Sequence, residues 1–490
     1  MPKAIVIGAG IAGIASSIRL ANQGYQVDVF ESNAYAGGKL TEVQLGPYRF
    51  DAGPSLFTMP QFVEELFEES GRDPRLYFQY EQLEEICRYF FEDGKRLNAY
   101  ADRTKFLKEL ASKLDVDTQL VENYLAKSAF IYKHTGELFL RKSLHKISSY
   151  LNRSTLLAIL NLPFLNIASS MDQVNKRKLK HEKLRQLFNR YATYNGSDPY
   201  KAPGILNIIP HLEYNMGAFF PKKGMYSITQ SLSELAQDLG VQFHYESPVK
   251  RILIEAGEAK GVWVDGVEKF ADLVVCNMDV VPAYKYLMPD QVQPEKILAQ
   301  ERSSSALIFY WGIKAEFPTL DLHNIFFSDQ YEEEFKTIFE DKSVCNDPTV
   351  YVHVSSKYKA DDAPEGCENW FVMINVPYNE GQDWDSLIKQ ARKDILTKLS
   401  RNLGRDIESL IEEEDILDPR LIESKTASYQ GALYGTSSNS KMAAFFRHPN
   451  FTKKIKHLYF CGGSVHPGGG IPLALSSAKI VGDLIAETHE

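Results

Sequence analysis

Lys3-Ala4-Ile5-Val6-Ile7-Gly8-Ala9-Gly10-Ile11-Ala12-Gly13-Ile14 opens the chain, and its reading decides the fold. Ala4 to Ile7 is a short apolar run, the pattern of a strand buried on both faces. Gly8 to Gly13 fits G-x-G-x-x-G. Ile14 to Gln23 is predicted as a helix that Gly24 ends, and Gln26 to Phe30 as a second strand. This is a βαβ opening and predicts a parallel sheet. In such a turn Gly8 makes the tight bend, Gly10 lets the backbone approach a pyrophosphate, and Gly13 lets helix pack on strand. Ile11 and Ala12 complete the turn, and the helix N-terminus that follows offers free N–H groups and a partial positive charge to phosphates. Glu31, followed by Ser32, ends the second strand, where a carboxylate accepts the ribose hydroxyls of an adenosine. An acid there disfavours a 2′-phosphate, so NADP is not expected.

Outward from this motif, 490 residues are too many for one simple core and imply two or three lobes. A net charge of −9 argues against a general nucleic-acid binder. The cysteines Cys87, Cys276, Cys345, Cys367 and Cys461 are scattered and form no C-x-x-C pair. Neither a disulfide framework nor a metal site is expected, and a reducing compartment fits. The strand pattern begins at Lys3, which leaves no room for a signal peptide, and no run of 18 apolar residues predicts a spanning helix. The expectation is a cytoplasmic protein.

Met225 to Leu239 reads as one helix with Ile228, Leu232, Leu235 and Leu239 on one face. Val241–His244, Val249–Glu255, Gly261–Val264 and Asp272–Asn277 read as strands, as do Ser305–Gly312 and Trp370–Val376. The end repeats the opening: a strand at His457–Phe460, a glycine-rich turn, then a helix from about Pro472. The lobes are therefore expected to interleave. Between Cys461 and Pro472 lie five glycines and two prolines, far more than a helix start packed only for structure needs.

Gly37-Gly38-Lys39 and Phe50-Asp51-Ala52-Gly53-Pro54-Ser55 resemble the flavin-binding extension of the amine oxidase and phytoene desaturase superfamily. His466-Pro467-Gly468-Gly469-Gly470-Ile471-Pro472, with Gly463-Ser464 before it, resembles the C-terminal signature of bacterial phytoene desaturase-type carotenoid enzymes. Gly217-Ala218-Phe219-Phe220-Pro221-Lys222-Lys223-Gly224-Met225 is similar to the family's G-x-x-x-P-x-G-G-M, with Lys223 in place of the first glycine. The resemblance covers nearly the whole chain. It implies FAD as cofactor, Lys39 near the phosphates, and Gly53, Pro54 and Ser55 near the flavin. It also implies the Val249 backbone at the adenine and Asn277 among the cofactor-binding residues. Gly463, Ser464, Gly470, Ile471 and Pro472 would present a glycine surface and a helix N-terminus to the flavin edge that gains negative charge on reduction. The implied architecture is α/β: a Rossmann-like FAD-binding domain, an interleaved substrate domain of mixed sheet plus helices, and a helical membrane-contacting region. Its expected boundaries are 1–100, 224–290 and 450–490 for FAD, 101–223 for the helical region, and 291–449 for the substrate sheet.

Within the family, Arg190–Tyr200, Ile209-Pro210-His211-Leu212-Glu213 and His323-Asn324-Ile325-Phe326-Phe327 resemble hydroxycarotenoid 3,4-desaturases. That resemblance implies a carotenoid substrate, hydride passing to the flavin, a proton lost from the neighbouring carbon, and a long dry tunnel. The 28 Phe, 26 Tyr and 4 Trp suit such a tunnel as well as an ordinary core. Glu213, His211 and Asp198 are candidate proton acceptors, or polar groups that recognise a substrate hydroxyl. No second G-x-G-x-x-G appears, so oxygen or a quinone is the expected terminal electron acceptor.

From Lys127 to Arg190, 13 lysines and arginines face three acids, and Leu156–Leu165 lies among them as an apolar run. This predicts attachment to the inner face of the cell membrane through anionic lipid. Other readings of the same pattern are a phytoene desaturase, isomerase or oxygenase acting on carotenoids, an amine oxidase, or a non-enzymatic prenyl-lipid carrier of the GDP-dissociation-inhibitor type. Oligomeric state is not encoded in any motif.

Overall fold

A computed structural model describes residues 1–146, 165–440 and 446–488. Its first sheet has five strands in the order Leu458–Phe460, Leu273–Cys276, Lys3–Ile7, Gln26–Phe30, Gln242–His244. Every pairing in it is parallel. Lys3–Ile7 lies at its centre and is buried from Ala4 onward, as a strand covered on both faces must be. The strands come from three distant stretches of chain, so the interleaving expected from sequence is present.

The opening helix, Ile11–Asn22, packs against the closing helix, Ile471–Ala486. Gly482 allows this: a Cβ there would lie 3.3 Å from Arg19 Cδ, and the Gln23 amide donates to the Gly482 carbonyl at 3.0 Å. Ile14, Ile18, Ala478, Val481 and Ile485 share one apolar core with the helix Tyr226–Asp238. The opening helix starts three residues earlier than its apolar period suggests, because Gly10 takes the N-cap position.

The second sheet has seven strands in the order Ile411–Leu417, Ser305–Ile313, Glu368–Val376, Val350–His353, His323–Phe326, Glu85–Phe90, Arg96–Tyr100. Only the pairing of His323–Phe326 with Glu85–Phe90 is parallel, so the sheet is mixed. Ser305–Ile313 is buried along its full length, with Trp311 and Trp370 in its core. Residues 85–100 belong to this sheet and not to the first nucleotide-binding segment where sequence placed them. Arg96–Tyr100 alternates buried with more exposed side chains and Glu85–Phe90 is mostly buried, patterns that suit either sheet, so only pairing decides.

The region 101–223 is helical as expected, with Arg103–Leu114, Thr118–Arg141, Met171–Leu179 and Glu182–Asn189. The apolar run lies outside the described residues apart from Leu165, which is buried. Among the described residues no helix is long and apolar enough to cross a membrane.

Candidate active site

Asn277 follows the strand Leu273–Cys276 and sits between the two glycine turns. A Cβ at Gly10 would stand 2.6 Å from Asn277 Nδ2, and one at Gly462 would stand 2.8 Å from Asn277 Oδ1. One half-buried amide thus lies against the turn at each end of the chain. Gly10 has φ −67°, which any residue adopts, so its glycine is required by space and not by backbone shape. Gly8 is different: its φ of 93° is left-handed, and a Cβ on Gly13 would collide with the Gly8 carbonyl at 2.1 Å.

The neighbouring motifs close on this centre. Gly37 N–H donates to the Ala9 carbonyl at 2.7 Å, and Gly38 lies against Gly10. Gly53 is seated on the Lys39 carbonyl, where a Cβ would be 2.0 Å from the oxygen. The Ser464 hydroxyl accepts the Val280 N–H at 3.0 Å. Asp51 accepts the N–H groups of Met225 and Tyr226 at 2.9 and 3.1 Å, and the Arg49 guanidinium at 2.7 Å. The Asp51 motif and the Met225 motif are therefore one structural unit, a helix start held by a buried carboxylate.

A single cavity of about 1130 Å³ runs along this seam and onward between the helices and the second sheet. It exceeds the roughly 300–1,000 Å³ of an ordinary one-ligand pocket. Gly10, Ile11, Ala12, Gly37, Gly38 and Lys39 line it. So do Gly53, Pro54, Ser55 and Asn277. Gly463, Ser464, Gly470, Ile471 and Pro472 close the same wall from the C-terminal side. Gly8, Gly13, Glu31, Ser32 and Val249 are not wall residues. Val249 packs against the apolar cluster around Phe30, and Ser32 is exposed. The Glu31 carboxylate is buried and accepts from Ala9 N–H at 2.7 Å, from Asn33 N–H and amide at 2.8 and 2.9 Å, and from the Ser32 hydroxyl at 3.1 Å.

No side chain caps the helix starting at Ile11 or the one starting at Ile471, and both starts open on this cavity. Uncapped helix N-termini attract anions. The Lys39 ammonium donates to the Leu433 carbonyl at 2.7 Å, and burial holds its pKa down at about 8 against the opposing pull of Asp279. These donors, with a Cβ-free glycine surface, could hold FAD.

Beyond the seam the wall is apolar and aromatic, with Tyr132, Phe139, Ile208, Tyr310, Phe371 and Met373. Glu213 belongs to this wall, but its oxygens are taken. Arg190 donates at 3.1 Å, Tyr191 at 2.5 Å, and Tyr194 also donates. Arg190 is itself buried and reaches the Tyr89 hydroxyl at 2.6 Å. Glu213 is thus the anion that neutralises a buried arginine. His211 is not a wall residue: its ring lies tilted against Tyr132 and pairs with the Asn215 amide at 2.7 Å, and burial lowers its pKa. Asp198 also lies outside the wall, with its pKa raised to about 6 by burial.

Sequence reasoning missed Glu334, a wall residue whose pKa burial raises to about 7 against the Thr349 donors. It also missed the chain Ser55, Tyr351 and His323, all in the wall. Glu334 sits among Glu332 and Glu333 and looks like any surface acid. His323 was in view only as part of a family stretch.

The sequence matches the family described as flavin containing amine oxidoreductase over residues 11–486. It is 53% identical over 489 residues to a 1-hydroxycarotenoid 3,4-desaturase of Flavobacterium sp. (strain P99-3), covering 100% of both chains. It is 33% identical to a 4,4′-diapolycopene oxygenase of Methylomonas sp, covering 99% of this chain and 98% of that one. It is 32% identical to a 4,4′-diaponeurosporene oxygenase of Staphylococcus haemolyticus (strain JCSC1435), covering 99% and 97%. Its fold is similar to cyclohexylamine oxidase from Brevibacterium oxydans IH-35A, with TM-score 0.64, 15% identity and coverage of 100% and 99%. The chain belongs to the flavin-containing amine oxidoreductase family and has the fold of its FAD-dependent oxidases.

Proposed function

We propose that the protein is an FAD-dependent carotenoid desaturase that forms the 3,4 double bond of an acyclic 1-hydroxycarotenoid. One observation carries this reading: the glycine-walled nucleotide seam and a largely apolar, aromatic wall line one continuous cavity of about 1130 Å³. The 53% identity to a desaturase of that name supports it along the full chain.

Desaturation breaks C–H bonds on two adjacent carbons. FAD, when bound, supplies the two-electron acceptor for this chemistry. The chain's own part is to bind, orient and dry the polyene. Tyr132, Phe139, Tyr310 and Phe371 present ring surfaces that favour a positive charge spread along a conjugated chain. The largely apolar wall fixes register and excludes water. Glu334, poised near neutral pH, is the wall carboxylate suited to exchange the released proton, whereas Glu213 is committed to Arg190. Oxygen or a quinone completes the redox cycle in this reading.

We read residues 224–290 and 450–490, together with the start of the chain, as the FAD-binding domain. The helices of 101–223 are its membrane-facing counterpart, on the cytoplasmic side of the cell membrane. Lys133, Lys142, Lys176, Arg177, Lys178 and Lys180 are exposed there, while Thr118–Arg141 lends Tyr132, Thr135 and Phe139 to the cavity. Arg141, Lys146, Lys183 and Arg185 are instead tied to Glu65, Glu487, Asp93 and Asp172, which narrows the basic face.

Expression in cells that make acyclic hydroxylated carotenoids tests the reading. The expected pigment has lost two hydrogens and absorbs further to the red. A pigment of unchanged mass would indicate an isomerase, and one that gains oxygen would indicate an oxygenase like the 32–33% identical relatives. Pure protein that cannot be reconstituted with FAD would favour a lipid carrier.

A further inference from the structure

Among the described residues, two side chains of the cavity wall carry a buried polar atom with no hydrogen-bond partner: Nε2 of His323 and Oδ1 of Asn195. His323 is the more enclosed, 3% exposed against 9%. It opens the strand His323–Phe326, at the heart of the second sheet. Its Nδ1 lies 2.7 Å from the Tyr351 hydroxyl, which lies 2.8 Å from the Ser55 hydroxyl. Ser55 follows Gly53 and Pro54, the segment seated on Lys39. The relay therefore runs from the nucleotide seam to an imidazole in the substrate part of the wall.

Burial, with His353 and Arg190 close by, drives the His323 pKa well below the ordinary imidazole range, so the ring is neutral. A neutral imidazole has one donor and one acceptor nitrogen. Nδ1 uses one of these roles toward Tyr351, and Nε2 keeps the other. A ligand hydroxyl both donates and accepts, so it pairs with Nε2 in either tautomer. A carbonyl would serve only the donor form. An apolar end group would leave Nε2 desolvated and unpaired, which is the arrangement buried polar atoms avoid. A ring so reluctant to take a proton is a poor base, which leaves recognition as its chemistry.

We propose that His323, held by Tyr351 and Ser55, is the specificity-determining residue that binds a hydroxyl near the end of the polyene and selects hydroxylated acyclic polyenes over hydrocarbon ones. This rests on the desaturase reading above. In a 1-hydroxy, 3,4-desaturation the hydroxyl-bearing carbon is two bonds from the nearer reacting carbon. An anchor for that hydroxyl must therefore stand beside the redox end of the cavity, and Ser55 ties His323 to that end.

The test uses FAD-loaded protein, a 1-hydroxylated acyclic carotenoid and the deoxy hydrocarbon with the same polyene. The readout is the ratio of kcat/KM for the two. His323→Leu is expected to lower the ratio by about tenfold or more, the effect of losing one buried hydrogen bond. His323→Gln, whose amide donates and accepts, is expected to keep most of it. His323→Phe, closer in size to imidazole, carries the same expectation as leucine where the leucine variant loses FAD. An unchanged ratio in both apolar variants overturns the proposal, as does a ratio that responds to Asn195→Leu and not to His323. Wild-type protein that converts neither compound overturns the desaturase reading and this inference with it.

Discussion

Gly10→Ala isolates the role of the opening turn. Alanine adopts φ −67° freely, so the backbone there is not strained by the change. The new methyl would nevertheless stand 2.6 Å from Asn277 Nδ2, inside contact distance. Asn277 is surrounded by glycines on both sides: a Cβ at Gly13 would stand 3.2 Å from its Nδ2 and one at Gly462 would stand 2.8 Å from its Oδ1. Overpacking of this kind costs about 1–3 kcal/mol. Asn277 touches both turns, so that cost falls on the surface that holds FAD. The expected result is an affinity for FAD weaker by about 5- to 150-fold, read from quenching of flavin fluorescence as apo-protein is titrated. Gly24→Ala is the control. Its φ is +86° and nothing lies within 4 Å, so it costs about 1 kcal/mol of stability through backbone strain and leaves FAD affinity unchanged. Wild-type affinity in Gly10→Ala, or equal losses in both variants, would refute the claim that Asn277 joins the two turns into one site.

Lys39 is expected to make FAD binding pH-dependent. A bound pyrophosphate favours the charged ammonium, and the free protein loses that proton above about pH 8, so the dissociation constant should rise by up to tenfold per pH unit from there. Flat affinity between pH 7 and 9.5, by the same fluorescence titration, would remove Lys39 from the phosphate site. Glu213→Gln leaves the buried Arg190 charge uncompensated and should cost about 3–5 kcal/mol in urea unfolding. Full stability with lost turnover would return Glu213 to the role of base. Replacing Lys176, Arg177, Lys178 and Lys180 by serine should weaken binding to anionic vesicles by about 1 kcal/mol per charge at low salt, measured by sedimentation. Unchanged sedimentation would move the membrane contact elsewhere.

The turn chemistry was the most legible part of the sequence. Gly8, Gly10 and Gly13 stand where their spacing implies, because each is dictated by contacts within a few residues or with one neighbouring strand. The closing helix was equally readable, since Gly470 and Pro472 mark its start. Strand partnership was not. Glu85–Phe90 pairs with His323–Phe326, more than 200 positions away, and no local period encodes that choice. The cavity wall was the least legible. Ser55, Tyr351 and His323 come from three separate stretches: the second sheet pairs the strands of Tyr351 and His323, and Ser55 reaches Tyr351 from a loop. Glu213 shows the converse: a buried acid beside aromatic residues looks catalytic in sequence until Arg190, Tyr191 and Tyr194 are seen to occupy it.

An anaerobic single turnover tests the central claim most directly. FAD-loaded protein is mixed with one equivalent of an acyclic 1-hydroxycarotenoid, and flavin absorbance and pigment mass are followed together. The account predicts bleaching of the flavin in step with loss of two hydrogens from the pigment. Pigment converted while the flavin stays oxidised, or pigment that keeps its mass, would contradict it.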